Sequence, residues 1–158
     1  MRIARTRDAE LIRSIATHPK VYPWIVDDGS VRAEDYQPVL DESLIYLHVT
    51  VGAGDGIFLF APANYVTREI HTLVRPTMWG CTAGAARACM RWIFENTPTV
   101  RIITQVPVDN PLAIRLSRRV GMTPYGTNRR SFLRHGKLLD IYLFGIDKEQ
   151  ICQPSQSA

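Results

Sequence analysis

The chain has 158 residues, 17.9 kDa of mass, 46% hydrophobic and 22% charged residues. That is one domain's worth of ordinary globular composition, which excludes disordered, collagen-like and coiled-coil chains. The net charge of +4 is local: between Arg115 and Lys137 stand six Arg and one Lys with no Asp or Glu, so an anionic ligand is expected near that stretch. Nucleic acid is not expected as a partner, because no helix-turn-helix, zinc-finger spacing or RNP-type aromatic strand accompanies the charge. No apolar run approaches the ~20 residues of a membrane span, and the opening MRIARTRDAE lacks an apolar leader block. A cytoplasmic protein with no membrane contact is the expectation. Cys81, Cys89 and Cys152 have neither disulfide nor zinc spacing, so free thiols and no metal are expected.

In chain order, MRIAR alternates as a strand, and DAELIRSIATHP places Leu11, Ile12, Ile15 and Ala16 at helical spacing before Pro19. Residues 19–42 combine Pro, Asp and Gly with Tyr22, Trp24 and Tyr36 and predict loop or short helix. IYLHVTV, GIFLFAPA and VTREIHTLV then form an antiparallel meander. Ala83–Phe94 is helical, with Ala86, Met90, Ile93 and Phe94 on one stripe, and VRIITQVPV follows as a strand. Asp109 or Asn110 caps a helix from Pro111 to Val120, and Gly121 suits its C′ position. TNRRSFLRHG and KLLDIYLFGI close the chain as strands around a turn at Gly136. The expected fold is α/β (α+β): one mixed, mostly antiparallel sheet of about seven strands with helices on both faces, over residues 1–150, and a flexible tail over 151–158.

Two blocks in this order carry a family resemblance. LVRPTMWGCTAGAARACMRWIF is similar to the acetyl-CoA segment of the GNAT superfamily of N-acetyltransferases, a strand ending in V-x-P followed by a Q/R-x-x-G-x-G/A loop and a helix. Counted from Pro76, Trp79 stands at the usual Gln/Arg and Thr82 at the first Gly, while Gly84 matches the second. VPVDNPLAIRLSRRVGMTPYG resembles the family's N-x-x-A-x-x-x-x-x-x-x-G-F signature through Asn110, Ala113 and Gly121, with Met122 in place of Phe. The closing YGTNRRSFLRHGKLLDIYLFGI echoes the final hairpin of relatives that acetylate N-terminal amines. The E-I-H-T of residues 69–72 is similar to GNAT-like proteins of tailed phages and prophages.

The resemblance implies a single-domain enzyme transferring acetyl from acetyl-CoA to a primary amine, on a small molecule or a protein N-terminus or lysine, by direct attack in a ternary complex. It implies pantetheine against strand backbone at Leu73, Val74 and Arg75, and a diphosphate cradle at Trp79, Gly80, Thr82, Ala83, Gly84 and Ala85, with Asn110 and Arg118 alongside. Arg87 and Arg119 are further phosphate partners on this reading. Glu69 and His71, two apart on one strand, share a face and are expected toward the acceptor as base. Leu73-Val74 breaks the alternation, so a bulge there would reverse that face. Ser117 stands where the family often has a Tyr as general acid, which makes it the third catalytic candidate beside Glu69 and His71. The acids Asp27, Asp28, Glu34, Asp35, Asp41 and Glu42 favour a cationic acceptor, and a homodimer is expected. The departures at Trp79, Thr82 and Ser117 leave an alternative: a weak or inactive GNAT-fold protein serving in phage assembly or as a binding protein.

Overall fold

The computed structural model describes residues 1–152. Strands β1 (Arg2–Thr6), β2 (Ile45–Val51), β3 (Gly54–Pro62), β4 (Thr67–Val74), β5 (Arg101–Pro107), β6 (Thr123–Arg134) and β7 (Lys137–Asp147) form one seven-stranded sheet, ordered β1-β2-β3-β4-β5-β7-β6. Only β4 and β5 pair in parallel; the other contacts are antiparallel. Helices α1 (Ala9–Ala16) and α2 (Tyr22–Ile25) precede β2, α3 (Thr82–Asn96) links β4 to β5, α4 (Pro111–Arg119) links β5 to β6, and α5 (Lys148–Cys152) ends the described chain.

Each face of the sheet has its own core, as the expected helices on both faces require. On one, Phe58, Phe60, Ile70, Ile102 and Phe144 pack with Met90, Ile93 and Phe94 of α3. On the other, Tyr46, Ile57 and Leu73 pack with Ile12, Ile15 and Ala16 of α1. Apolar residues two apart on each strand therefore serve one layer, and their neighbours serve the other.

Local signals place the helices. Asp8 accepts from the Leu11 N–H at 3.0 Å to start α1. Asn110 Oδ1 accepts from the Ala113 N–H at 3.1 Å to start α4, deciding between the two expected caps. Gly121, at φ +92°, ends α4 as its C′ residue. The final hairpin differs from expectation at its start, since β6 begins at Thr123. It turns at His135 and Gly136, both with positive φ. The folded chain also passes the expected boundary at 150: Ile151 is buried within α5, because an apolar residue one turn into that helix lands on α3. Residues 153–158 of the expected tail lie outside the described residues.

Two glycines of β3 set the close approach around β4. A Cβ at Gly56 would stand 2.5 Å from Val74 Cγ1, and one at Gly54 would stand 2.8 Å from the Thr77 carbonyl oxygen. Backbone cannot swing aside as a side-chain end can, so Gly54→Ala should lower unfolding stability by about 1–3 kcal/mol in a denaturant titration.

Candidate functional site

The ladder between β4 and β5 has three pairs, Thr67↔Arg101, Arg68↔Ile102 and Glu69↔Ile103, and then the strands part. At the fork the Thr104 hydroxyl donates to the Ile70 carbonyl at 3.2 Å, replacing the next backbone rung. Strand alternation directs the backbone of Thr72 and Val74 into the gap. Leu73 and Arg75 turn theirs to β3, where the Arg75 N–H donates to the Asp55 carbonyl at 3.2 Å. Of Leu73, Val74 and Arg75, the three residues expected to offer backbone to a pantetheine, Val74 turns its backbone toward the gap, and Thr72 does so as well.

β4 pairs with β3 residue for residue without a bulge, which settles the open parity at Leu73-Val74. Glu69, His71 and Leu73 face the α1–α2 side, while Ile70 and Val74 pack toward α3. The run of two apolar residues reflects a strand buried on both faces. Glu69 Oε2 accepts from Gln105 Nε2 at 3.2 Å, and His71 Nε2 lies 3.9 Å from Glu69 Oε1. These three polar groups stand together on the floor of a cavity of about 520 Å³ that passes through the gap to Ala113, Leu116 and Ser117 of α4. Ser117 is buried and its hydroxyl donates to the Ala113 carbonyl at 3.0 Å.

A second cavity, about 340 Å³, shares Trp24, Ile25, Thr72, Asn110, Ala113 and Leu116 with the first, so the two form one passage. Its wall carries Val74, Trp79, Thr82, Ala83, Lys20, Arg115 and Arg119 and no acidic residue. Cys81 supplies no side-chain cap to α3, and the first helical bond runs from the Ala85 N–H to the Cys81 carbonyl, so the amides of Thr82, Ala83 and Gly84 have no intrahelical partner. Gly80 and Gly84 are exposed with open space where a Cβ would stand. The buried Thr82 hydroxyl donates to the Met78 carbonyl at 3.0 Å, holding the preceding turn against the helix start. Small residues, free amides and cationic side chains suit a phosphorylated ligand.

Other expected residues fall elsewhere. Ala85 is buried in the core, and Arg118 is exposed on α4 and lines neither cavity. Arg87 donates to the Val120 carbonyl at 2.6 Å and is spent closing the end of α4. The basic stretch divides: Arg115 and Arg119 reach the passage, whereas Arg134 is turned inward. His48 of β2 is half-buried, with Nε2 3.5 Å from Asp55 Oδ2. Burial pushes the Cys89 thiol up to about 12, which suits a core residue and not a nucleophile.

Arg134 is the main residue that sequence reasoning missed. Only 5% exposed, its NH1 donates to Asp109 Oδ1 at 2.9 Å, its Nε and NH2 donate to the Val26 carbonyl, and NH2 also reaches the Trp24 carbonyl at 3.3 Å. It joins the end of β6, the segment after α2 and the turn before α4, three pieces that frame the passage. Next to it, Asp28 accepts from the His135 and Gly136 N–H groups at 2.7 Å each, and those bonds, the Gly136 one foremost, hold its carboxyl below its usual range. Stability from this contact is therefore present above the ordinary Asp pKa and is lost as pH falls through the depressed one.

Among known proteins, no family model matches the chain, and no curated protein matches it. Its structure is similar to the spermidine N-acetyltransferase of Vibrio cholerae in complex with CoA and spermine, with a TM-score of 0.78 at 14% identity, covering 96% of this chain and 98% of that one. A Phe-to-Ala mutant of the Vibrio cholerae enzyme gives 0.76 at 13% identity, over 97% and 98% of the two chains. A GNAT-family acetyltransferase from Bacillus anthracis gives 0.58 at 21% identity, over 68% and 67%. The fold is thus the one these acetyltransferases adopt.

Arg134→Met should remove the pair with Asp109 and strand the Trp24 and Val26 carbonyls. Because Asp109 is partly solvated, the expected loss is about 1–3 kcal/mol of unfolding stability, read by denaturant titration, and Arg134→Lys should recover only part of it.

Proposed function

We propose that this protein transfers an acetyl group from acetyl-CoA to a primary amine by direct attack within a ternary complex. One observation carries the reading: the unpaired stretch between β4 and β5 joins a cation-walled cavity at the start of α3 to a cleft floored by Glu69, His71 and Gln105. Likeness in fold to a protein bound to CoA and spermine supports it. The thioester supplies an activated carbonyl, and everything else falls to this chain's residues.

Arg115, Arg119, Lys20 and the free amides of α3 hold the phosphates, and the backbone of Thr72 and Val74 takes the extended amide arm as an added strand would. Trp79 closes the mouth as an apolar wall in place of a hydrogen-bonding side chain. On the other side of the gap, Glu69, oriented by Gln105, accepts a proton from the ammonium, with His71 completing the polar floor. The freed amine forms the new N–C bond as the C–S bond breaks, and the sulfur leaves with the bonding pair. The second amine proton passes to solvent or thiolate.

A second reading is favoured by the Ser117 hydroxyl, which is committed to the Ala113 carbonyl and offers the leaving sulfur no proton. Under it the protein binds CoA without turnover, as an assembly component of the phage type or as a binding protein. Calorimetric titration with acetyl-CoA combined with CoA release across an amine panel separates the two. Binding with product supports transfer, binding without product supports the second reading, and no binding at millimolar ligand removes both.

If Glu69 is the base, Glu69→Gln should lower kcat by about 10²–10⁴-fold at neutral pH with acetyl-CoA affinity retained. The loss should shrink at high pH, where the amine sheds its proton unaided. Separately, Arg115→Ala with Arg119→Ala should raise the KM for acetyl-CoA by about an order of magnitude. Arg118→Ala, off the passage, should leave it unchanged.

A further inference from the structure

The acceptor cleft has one acidic side chain on its wall, Glu69, and its remaining outer wall is Trp24, Ile25, Tyr36, Leu59, Phe132 and Ile141. Of the six acids that make the 27–42 segment look suited to a polycation, five are engaged elsewhere and the sixth, Glu42, lies off the cleft. Asp27 accepts from the Gly29 N–H and the Ser30 hydroxyl, and Asp28 from the β6–β7 turn. Glu34 and Asp35 pair with Arg32, and Asp41 accepts from Ser43. None of them lines the cleft.

Two of the three aromatic rings on the wall are also already facing a cation. The Arg134 guanidinium carbon stands 4.8 Å from the centroid of Phe132 and 6.0 Å from that of Trp24, so both rings already face a buried positive charge. A second ammonium entering here would lose water, find no carboxylate besides the Glu69 that serves the first, and meet Arg134 behind the wall. An apolar group entering the same space would exchange water for aromatic and aliphatic contact.

We propose that the acceptor is a monoamine, a primary amine whose carbon skeleton carries an aromatic or bulky aliphatic group and no second positive charge. The fate of the amine rests on the acetyl-transfer reading above; its selection rests on the cleft. Such an amine comes either as a free aralkylamine or as the N-terminal residue of a peptide, and both present the same ammonium and apolar body.

The test compares 2-phenylethylamine, phenylalaninamide and spermidine, by CoA release at saturating acetyl-CoA and by calorimetry on the CoA-bound protein. The expected kcat/KM for 2-phenylethylamine exceeds that for spermidine at least tenfold. Phenylalaninamide above 2-phenylethylamine identifies the peptide source, and the reverse order the free amine; either order upholds the proposal. Spermidine equal or superior overturns it while leaving transfer intact. If no amine reacts, binding of 2-phenylethylamine without spermidine upholds the selectivity and removes the transfer reading, and binding of neither overturns both. Leu59→Glu, which adds a carboxylate to the wall, should move the ratio at least tenfold toward spermidine, with Leu59→Gln as the neutral control. Phe132→Ala, on the edge strand, provides an independent variant and should lower only the aromatic amine's kcat/KM, about tenfold; an unchanged ratio in both variants overturns the proposal.

Discussion

The structure turns on a ladder that stops. β4 is fully paired to β3 and β5 to β7, yet between β4 and β5 only three pairs form before the strands separate. A backbone group left without a partner costs about 1–3 kcal/mol when buried, so Thr72 and Val74 hold unused hydrogen-bonding capacity that water or an extended ligand must fill. The opening is held from both ends. Thr104 spends its hydroxyl on the Ile70 carbonyl at the fork, and α4, begun by its Asn110 cap three residues after Pro107, sets Ala113 and Leu116 against the mouth. Both cavities meet here because the sheet does not close.

Which side chains reach the cleft floor then depends on register. A slip of one residue in β4 would carry Ile70 and Thr72 into the cleft and drive Glu69 and His71 into the core beneath α3. Gly56, opposite Val74, and Gly54, beneath the turn that follows β4, admit one close approach each. Arg75 adds a charged pin, donating to both Asp55 oxygens at 2.8 and 2.7 Å and to the Ser14 hydroxyl at 2.9 Å. These contacts do no chemistry, but they determine which residues can.

What was legible in the sequence was local. Periodicity gives the helices and the meander, a carboxamide followed by Pro gives the start of α4, and a Gly in left-handed backbone gives its end. What stayed hidden depends on partners far along the chain. Arg134 meets carbonyls 108 and 110 positions away, and Asp28 reaches amides at similar separations, so neither shows in any window of sequence. The extent of the β4–β5 ladder is hidden for the same reason. At the 27–42 segment the sequence does not show that Asp27 and Asp41 close turns, or that Trp24 and Tyr36 line the cleft, because each depends on how the segment folds back on the sheet.

The site is asymmetric in its proton chemistry, and the asymmetry fits amide formation from a thioester. An alkylammonium with a reference pKa near ~10.4 holds almost no free amine at neutral pH, so attack requires a base. A departing thiolate, whose thiol has a reference pKa near ~8.5, is stable enough to leave before it is protonated. One positioned carboxylate is then the larger need, and a dedicated acid the smaller. Under the proposed reaction Glu69, oriented by Gln105 on the cleft floor, is the group placed to meet the first. The Ser117 hydroxyl, turned back on its own helix, is consistent with the second going unmet. Commitment of Ser117 to α4 also keeps its oxygen satisfied in a place only 5% exposed, where a free hydroxyl would be costly. A proton donor can thus be absent from this passage without removing the chemical logic of the passage.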